Sequence, residues 1–237
     1  MKDRAPPLDP EALSKWRRYF HDNFFEDFEN GTGTEAVMSA LHAHAGAGVW
    51  ADLGSGTSTL FWSMCVPPMT EIHAVDISAE ALHVLETFSA STTEPVGYLQ
   101  AGSIFGHGSE HLRHQKRTLG HFHSCDALRP FSCELGLKRF DLVTAIGLLS
   151  LSGSPDRFRE AFREVSRTLR PGGTIICASW ILSDSHARQR GIRNDFLAAD
   201  LQAIAVHEAG LNLLDMCTAI PVDQRRYSRV EVFSARA

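Results

Sequence analysis

The sequence of 237 residues contains no run of Lys or Arg longer than two, and its formal net charge is −5. A nucleic-acid-binding protein usually presents a basic face, so this balance argues against a nucleic-acid partner. No apolar stretch is long enough to cross a bilayer, and no apolar segment follows the polar, proline-rich start. We therefore expect neither a membrane anchor nor a secretory signal.

Cysteine is also sparse, with five scattered residues and no CxxC pair. An odd number of cysteines without a signal segment favours reduced thiols and a cytoplasmic protein. The length suits a single α/β domain whose core is large enough to be stable without disulfides.

Apolar runs and amphipathic helical patterns alternate along most of the chain. This order predicts an α/β, Rossmann-like doubly wound sheet, mostly parallel with an antiparallel C-terminal strand. Residues 1–47 are interpreted as an aromatic, helical lid or cap segment, and residues 48–237 as the rest of a single catalytic domain. The predicted strands are Val49–Leu53, Glu71–Asp76, 121–126, Phe140–Ile146 and 174–180, followed by an antiparallel pair at 211–220 and 228–235.

A glycine turn follows the first predicted strand, in the sequence Asp52-Leu53-Gly54-Ser55-Gly56-Thr57. Such turns bind nucleotides at the carboxyl ends of parallel strands, because glycine lets the backbone approach the ligand. A dinucleotide site favours a third glycine where this chain has Thr59, and no Gly-Lys-Ser/Thr follows for a phosphate loop. Asp52 would repel a pyrophosphate and attract an ammonium group, and this charge favours S-adenosylmethionine as the cofactor.

Two further acids follow later strands. Asp76 ends the second strand, where a carboxylate accepts hydrogen bonds from ribose hydroxyls. Asp126, between Cys125 and Ala127, ends another strand, where it would accept from the adenine amine. Each acid alone is equally typical of a helix cap or a solvated turn, but the three in this order indicate one cofactor site.

These motifs, with Leu169-Arg170-Pro171-Gly172-Gly173 before the fifth strand, resemble class I methyltransferases. The chain looks most similar to the nicotinamide, phenylethanolamine and indolethylamine N-methyltransferases. That resemblance implies a lid containing Tyr19 and Phe24, with Tyr19 bonded to the cofactor carboxylate. Together, the motifs and the resemblance predict a set of residues that contact the cofactor. These residues are Tyr19, Asp52, Gly54, Ser55, Gly56, Ser58, Asp76, Ile77, Cys125, Asp126, Ala127 and Ile146.

The substrate side departs from that family. Where the nicotinamide enzymes have an aspartate after the fifth strand, this chain has Ser179, followed by Trp180, so nicotinamide is disfavoured. Asp184 is a candidate for the missing polar contact. Phe20, Phe24 and Trp180 are candidates for an aromatic wall around a flat or cationic small molecule, although core packing explains them equally well.

Methyl transfer to a neutral amine needs alignment and exclusion of water but no strong base, so we assign no catalytic residue. The ends of the fourth and fifth strands carry no carboxylate, which disfavours a metal-dependent mechanism. The alternatives are an O-methyltransferase with His186 or another imidazole as base, a non-catalytic cofactor-binding protein, and, least favoured, a dinucleotide oxidoreductase. The oligomeric state stays open.

A group of histidines lies in a polar stretch near the middle of the chain. No cysteine or carboxylate spacing completes a known metal site, so we interpret the stretch as an exposed, His-rich insertion without a metal. Its members are His107, His111, His114, His121 and His123.

Overall fold

The computed structural model describes residues 8–129, 135–192 and 194–237. Its strands are β1 (Val49–Leu53), β2 (Glu71–Asp76), β3 (Leu119–Ser124), β4 (Phe140–Ile146), β5 (Leu169–Leu182), β6 (Asn212–Ala219) and β7 (Tyr227–Arg236). Its α-helices are α1 (Pro10–Phe20), α2 (Thr34–His44), α3 (Thr59–Trp62), α4 (Ala79–Ser89), α5 (Val96–Ser103), α6 (Ser109–Thr118), α7 (Pro155–Ser166), α8 (Asp184–Arg190) and α9 (Ala199–Glu208).

The strands form one seven-stranded sheet in the order β3-β2-β1-β4-β5-β7-β6. The first five pair in parallel, whereas β7 runs antiparallel to both β5 and β6. The doubly wound α/β fold with an antiparallel C-terminal strand is therefore confirmed. The strand order reverses between β1 and β4, and ligands of such sheets bind beyond the carboxyl ends of the strands at this point.

Both faces of the sheet are covered by apolar side chains. Trp50 and Leu142 belong to the core on one face, and their neighbours Ala51 and Val143 belong to the core on the other. Successive side chains of a strand point to opposite faces, so a strand buried on both sides is apolar along its whole length. This is why β1 and β4 are recognisable as short apolar runs.

The N-terminal segment begins where its capping residues predict. The Asp9 side chain accepts a hydrogen bond from the Glu11 backbone N–H at 3.0 Å, and Pro10 occupies the first turn of α1. Helix α1 ends at Phe20, after which the backbone widens into a π-helical turn over His21–Phe25. Helix α1 packs on α4, and the rings of Phe20 and Phe88 lie 4.9 Å apart.

Two expected strands need correction, the first of which is that β3 spans Leu119–Ser124 instead of 121–126, so that Asp126 lies two residues beyond the strand. Strand β5 spans Leu169–Leu182 instead of 174–180, because its first residues pair with β4 and its last with β7. Between β5 and β6 the chain forms two helices, α8 and α9, and the segment between them begins at Gly191, which has a left-handed φ of 65°. Among the described residues, no helix is long and apolar enough to span a membrane.

The insertion is also less exposed than expected. The rings of His107, His111 and His114 bind the backbone carbonyls of Met64, Ser63 and Met69, each at 2.9 Å. These histidines therefore tie the segment around α6 to the loop between α3 and β2. The sequence did not reveal this packing, because the side chains of α6 that face the loop are polar. They form hydrogen bonds with the backbone carbonyls of the loop.

Candidate functional site

The glycine turn after β1 is built on two left-handed residues. Gly54 has a φ of 68° and Gly56 a φ of 50°, a conformation that side chains with a Cβ disfavour. The backbone N–H groups of Gly54 and Ser55 both donate to the Val75 carbonyl, at 2.8 and 3.0 Å. The turn is thereby fixed against the end of β2, where the second predicted acid lies.

Asp52 lies beneath this turn. Its side chain is 1% exposed, with Oδ2 accepting from the Thr59 hydroxyl at 2.7 Å and Oδ1 from the Thr144 hydroxyl at 2.6 Å. The Thr144 oxygen also accepts from the Trp50 indole N–H at 2.8 Å. Burial raises the pKa of Asp52 to about 6, although both threonines lower it. Asp52 thus supports the turn from below, and the residue in place of the third glycine, Thr59, is one of its donors.

Asp76 joins the turn to the start of α4. Its two carboxylate oxygens accept from the backbone N–H groups of Gly56 and Ser78, each at 2.8 Å. The side chain is nearly buried, with 9% of its surface exposed. A carboxylate offers about four lone-pair directions, so these two bonds leave acceptor capacity at the tip of β2.

Two hydroxyl groups at the turn are buried and unpaired. Among the described residues, neither Ser55 Oγ nor Thr57 Oγ1 has a hydrogen-bond partner. Ser58, by contrast, donates to the Ser55 carbonyl at 2.9 Å and accepts from the Trp62 indole at 3.1 Å. A buried unpaired hydroxyl is costly, so Ser55 and Thr57 mark the turn as a place where a polar ligand would be stabilised.

Side chains from two other segments cover the turn. A Cβ placed on Gly56 would lie 3.5 Å from the Trp16 ring of α1, and one on Gly54 would lie 2.8 Å from the Cβ of Leu148 after β4. Tyr19 packs edge-on between Trp16 and Phe24, at ring distances of 5.5 and 5.8 Å. Tyr19 is 46% exposed, and partial desolvation together with the neighbouring Tyr227 raises its pKa above the ordinary value.

The third predicted acid, Asp126, lies two residues beyond the end of β3. Asp126 Oδ1 accepts from the Leu128 backbone N–H at 3.0 Å, and Oδ2 pairs with the Arg129 guanidinium at 3.0 Å. Cys125 is disulfide-bonded, so the expectation of reduced thiols is wrong for this residue, and the cytoplasmic assignment loses that support. Ala127 is half-buried, and Ile77 after Asp76 is 70% exposed.

The predicted substrate residues fall into three environments. Phe24, Trp180 and the cofactor candidate Ile146 are partly buried against the same core as Trp16. Phe20 lies inside that core, and Ser179 is buried within β5. Asp184 is exposed in the first turn of α8. The structure therefore places Phe24, Ile146 and Trp180 at the margin of the apolar core that Trp16 also contacts, and it buries Phe20 inside that core.

A cavity of about 300 Å³ opens at the opposite end of the sheet. Its lining includes Asp141, Arg170, Thr174 and Arg236, and Asp141 forms an ion pair with Arg170. These residues lie towards the amino ends of β4 and β5, away from the glycine turn. Because ligands of doubly wound sheets bind at the carboxyl ends, we take the covered turn as the candidate site.

A second polar cluster spans the other half of β2 and the edge strand β3. His73 is 1% exposed; its Nε2 lies 2.5 Å from Glu71 Oε1 and its Nδ1 lies 2.9 Å from His123 Nε2. Burial lowers the pKa of His73 to about 4 and also lowers the pKa of His123. The His121/His123 pair was noticed in the sequence, but His73 was not, since it was taken as part of an apolar strand.

Comparisons with known proteins support the architecture. No protein-family model and no curated protein matches this sequence, so the support comes from solved structures. Among solved structures, the chain is similar to the N-methyltransferase NodS from Bradyrhizobium japonicum in complex with S-adenosyl-L-homocysteine, with a TM-score of 0.57, 15% identity, and coverage of 95% of this chain and 96% of that chain.

Two further structures share the fold. The 1,6-didemethyltoxoflavin-N1-methyltransferase from Burkholderia thailandensis gives a TM-score of 0.53 at 17% identity over 98% of this chain and 92% of that chain. The [4+2]-cyclase SpnF gives a TM-score of 0.61 at 15% identity, over 94% of this chain and 92% of that chain. The chain therefore has the fold of these proteins, a fold that carries both methyl transfer and cyclisation.

Proposed function

We propose that this protein is an S-adenosylmethionine-dependent methyltransferase that acts on a small molecule, with an amine nitrogen as the favoured acceptor. The observation that carries the proposal is the turn after β1. Two left-handed glycines there present buried, unpaired hydroxyls of Ser55 and Thr57 beside Asp76, at the point where the strand order reverses. Two of the three fold relatives described above are named as N-methyltransferases, and both of those structures contain S-adenosylhomocysteine.

The residues present fit this cofactor at three places. Asp76 has lone pairs left to accept from ribose hydroxyls, and Asp126, in the loop just after β3, would accept from the adenine amine. The hydroxyls of Ser55 and Thr57 would bind the polar methionine end. Exposed Ile77 and half-buried Ala127 would contact the flat faces of the adenine ring.

Asp52 takes a different role from the direct ammonium contact that the sequence favoured. Both of its oxygens accept hydrogen bonds from threonines beneath the turn. We propose that it positions the turn through Thr59 and contributes negative potential under the site where the ammonium group would bind. The absence of phosphate in S-adenosylmethionine makes this buried acid compatible with the cofactor, whereas a pyrophosphate would be repelled.

When bound, the cofactor supplies an electrophilic methyl group on a sulfonium. The chain's own contribution is to align the acceptor with that group and to exclude water, because charge is dispersed as the sulfonium is neutralised. Trp16 and Leu148 over the glycines are suited to exclude water. The described residues of the segment 1–47 that cover the turn, around Trp16, Tyr19 and Phe24, are therefore proposed as a lid that opens to admit the cofactor, whereas α2 is buried in the core and stays in place.

The acceptor is proposed to bind against Phe24 and Trp180, on the side of the turn covered by α1. Both rings are partly buried, and aromatic faces of this kind bind flat or cationic amines. Ser179 and Asp184 stay candidates for polar contacts at its edge. We retain one rival of another class, a cofactor-binding protein without methyl transfer, because the cyclase SpnF has the same fold.

A screen with radiolabelled S-adenosylmethionine over amines, phenols and carboxylates tests the proposal. We expect label to be transferred to amines by the wild-type chain and not by Asp76→Ala. Transfer only to phenols would replace the amine assignment with an O-methyltransferase. Tight cofactor binding with no transfer to any class would favour the non-catalytic rival.

A further inference from the structure

Four residues with metal-binding side chains share one face of the sheet on β2 and β3. Glu71 and His73 are two residues apart on β2, and His121 and His123 are two residues apart on β3. Alternate residues of a strand point to the same face, and His73 lies directly opposite His121 in the register of the two strands. The rings of His73 and His121 stack at 4.2 Å, and those of His73 and His123 at 5.2 Å.

Three of these side chains bring one ligand atom each close together. The ligand atoms of Glu71, His73 and His121 all lie within 4.8 Å of one another. With metal–ligand bonds of about 2.0–2.1 Å, tetrahedral coordination places ligand atoms about 3.3 Å apart. His121 Nε2 and Glu71 Oε1 are already 3.3 Å apart, and the 2.5 Å contact between Glu71 Oε1 and His73 Nε2 needs only to lengthen.

His123 completes the arrangement from behind. Its Nε2 is 2.9 Å from the Nδ1 of His73, so a hydrogen bond between the two rings fixes the orientation of His73. Metal-bound histidines usually have such a partner on the nitrogen that does not bind the metal. His73 itself is buried, whereas His121 is exposed at the edge strand and leaves an entry path for an ion.

The pocket between these groups already contains a positive charge. Arg139 Nη2 lies 2.5 Å from Glu71 Oε1 and 3.2 Å from His73 Nε2. Its side chain is 42% exposed, so it is able to swing into solvent. The arginine shows where a cation is stabilised, and it would compete with a metal ion for the same ligand atoms.

We propose that Glu71, His73 and His121 bind a divalent transition-metal ion of the zinc class, which ties the edge strand β3 to β2. Imidazole and carboxylate ligands suit zinc and its neighbours better than magnesium or calcium. Glu71 is five residues from Asp76 along β2, about 16 Å at the rise of a strand. The site is therefore separate from the proposed methyl-transfer site and does not depend on it.

Zinc chloride is titrated into the full chain, without an affinity tag, in competition with a chromogenic chelator. We expect one equivalent to bind, and the exposed variant His121→Ala to weaken binding by about tenfold or more. Glu71→Gln should weaken it similarly, while His207→Ala, an exposed histidine on α9, should leave it unchanged. Arg139→Gln should strengthen binding several-fold, because it removes the competing cation.

The last variant separates this site from adventitious binding by surface histidines. Equal affinities for wild type, His121→Ala and Arg139→Gln would overturn the proposal, as would the lack of a stoichiometric first equivalent. Cobalt(II) provides a second readout, since tetrahedral nitrogen and oxygen coordination gives a visible absorption band. That band should appear with wild type and Arg139→Gln and be absent with His121→Ala.

Discussion

Replacing Asp52 by asparagine should change how stability depends on pH. The carboxyl group is fully buried, and burial raises its pKa from 3.8 to about 6. Between these pH values the folded chain binds the proton more strongly than the unfolded chain. The stability associated with this group is therefore present below about pH 4 and is lost as the pH rises through about 6.

The magnitude follows from the size of the shift. About two pKa units at about 1.4 kcal/mol each give about 3 kcal/mol. Asp52→Asn removes the titrating group and preserves its shape. The contributions of all other titrating groups to the pH dependence therefore cancel when the variant is compared with wild type. The free energy of unfolding of Asp52→Asn, relative to wild type, should rise by about 2–3 kcal/mol between pH 4 and pH 7, since the unfolded carboxyl is already partly ionised at pH 4.

Urea denaturation at half-unit pH intervals measures this difference. Asp195→Asn, a change of the same type at an exposed position, is the control and should differ from wild type by less than about 0.5 kcal/mol throughout. A difference for Asp52→Asn that stays constant with pH, or that falls as the pH rises, would refute the account of a desolvated carboxyl beneath the turn.

Two further variants test the turn itself. Thr144→Val removes the hydroxyl that donates to Asp52 and accepts from Trp50. It should lower the free energy of unfolding, measured by urea denaturation, by about 2–4 kcal/mol. Thr87→Val, at an exposed position, is the control, and an equal effect of the two variants would contradict the reasoning. Gly56→Ala places a methyl group on the face of the turn, where Trp16 leaves room at 3.5 Å, and should weaken S-adenosylhomocysteine binding by about tenfold or more. Gly210→Ala has a similar φ, 72°, with open space around it, so it introduces matched strain and should leave that binding unchanged.

The bounds of β1, β2 and β4 were predictable because local patterns determine them. Each is a short apolar run buried on both faces, and the order of runs and helices dictates a parallel sheet. The glycine turn at Gly54 and Gly56 was likewise recognisable in the sequence as a place where the backbone approaches a ligand, and both residues have left-handed φ values. These features depend on neighbouring residues in the chain.

Other features of the site depend on contacts between distant segments. Asp52 meets Thr144 because the register of β1 and β4 places them side by side, 92 residues apart in sequence. Trp16 covers Gly56 only once α1 has packed on α4. His73 joins His121 through the pairing of β2 with β3, and the apolar character of β2 concealed it. No local pattern carries such information.

Isothermal calorimetry with S-adenosylhomocysteine tests the central claim most directly. The account predicts binding of one equivalent to the wild-type chain, no heat with NAD, and a loss of affinity in Asp76→Ala that Asp195→Ala does not share. Binding of NAD in place of S-adenosylhomocysteine, or equal affinity of the wild type and Asp76→Ala, would contradict the assignment of the turn after β1 as the cofactor site.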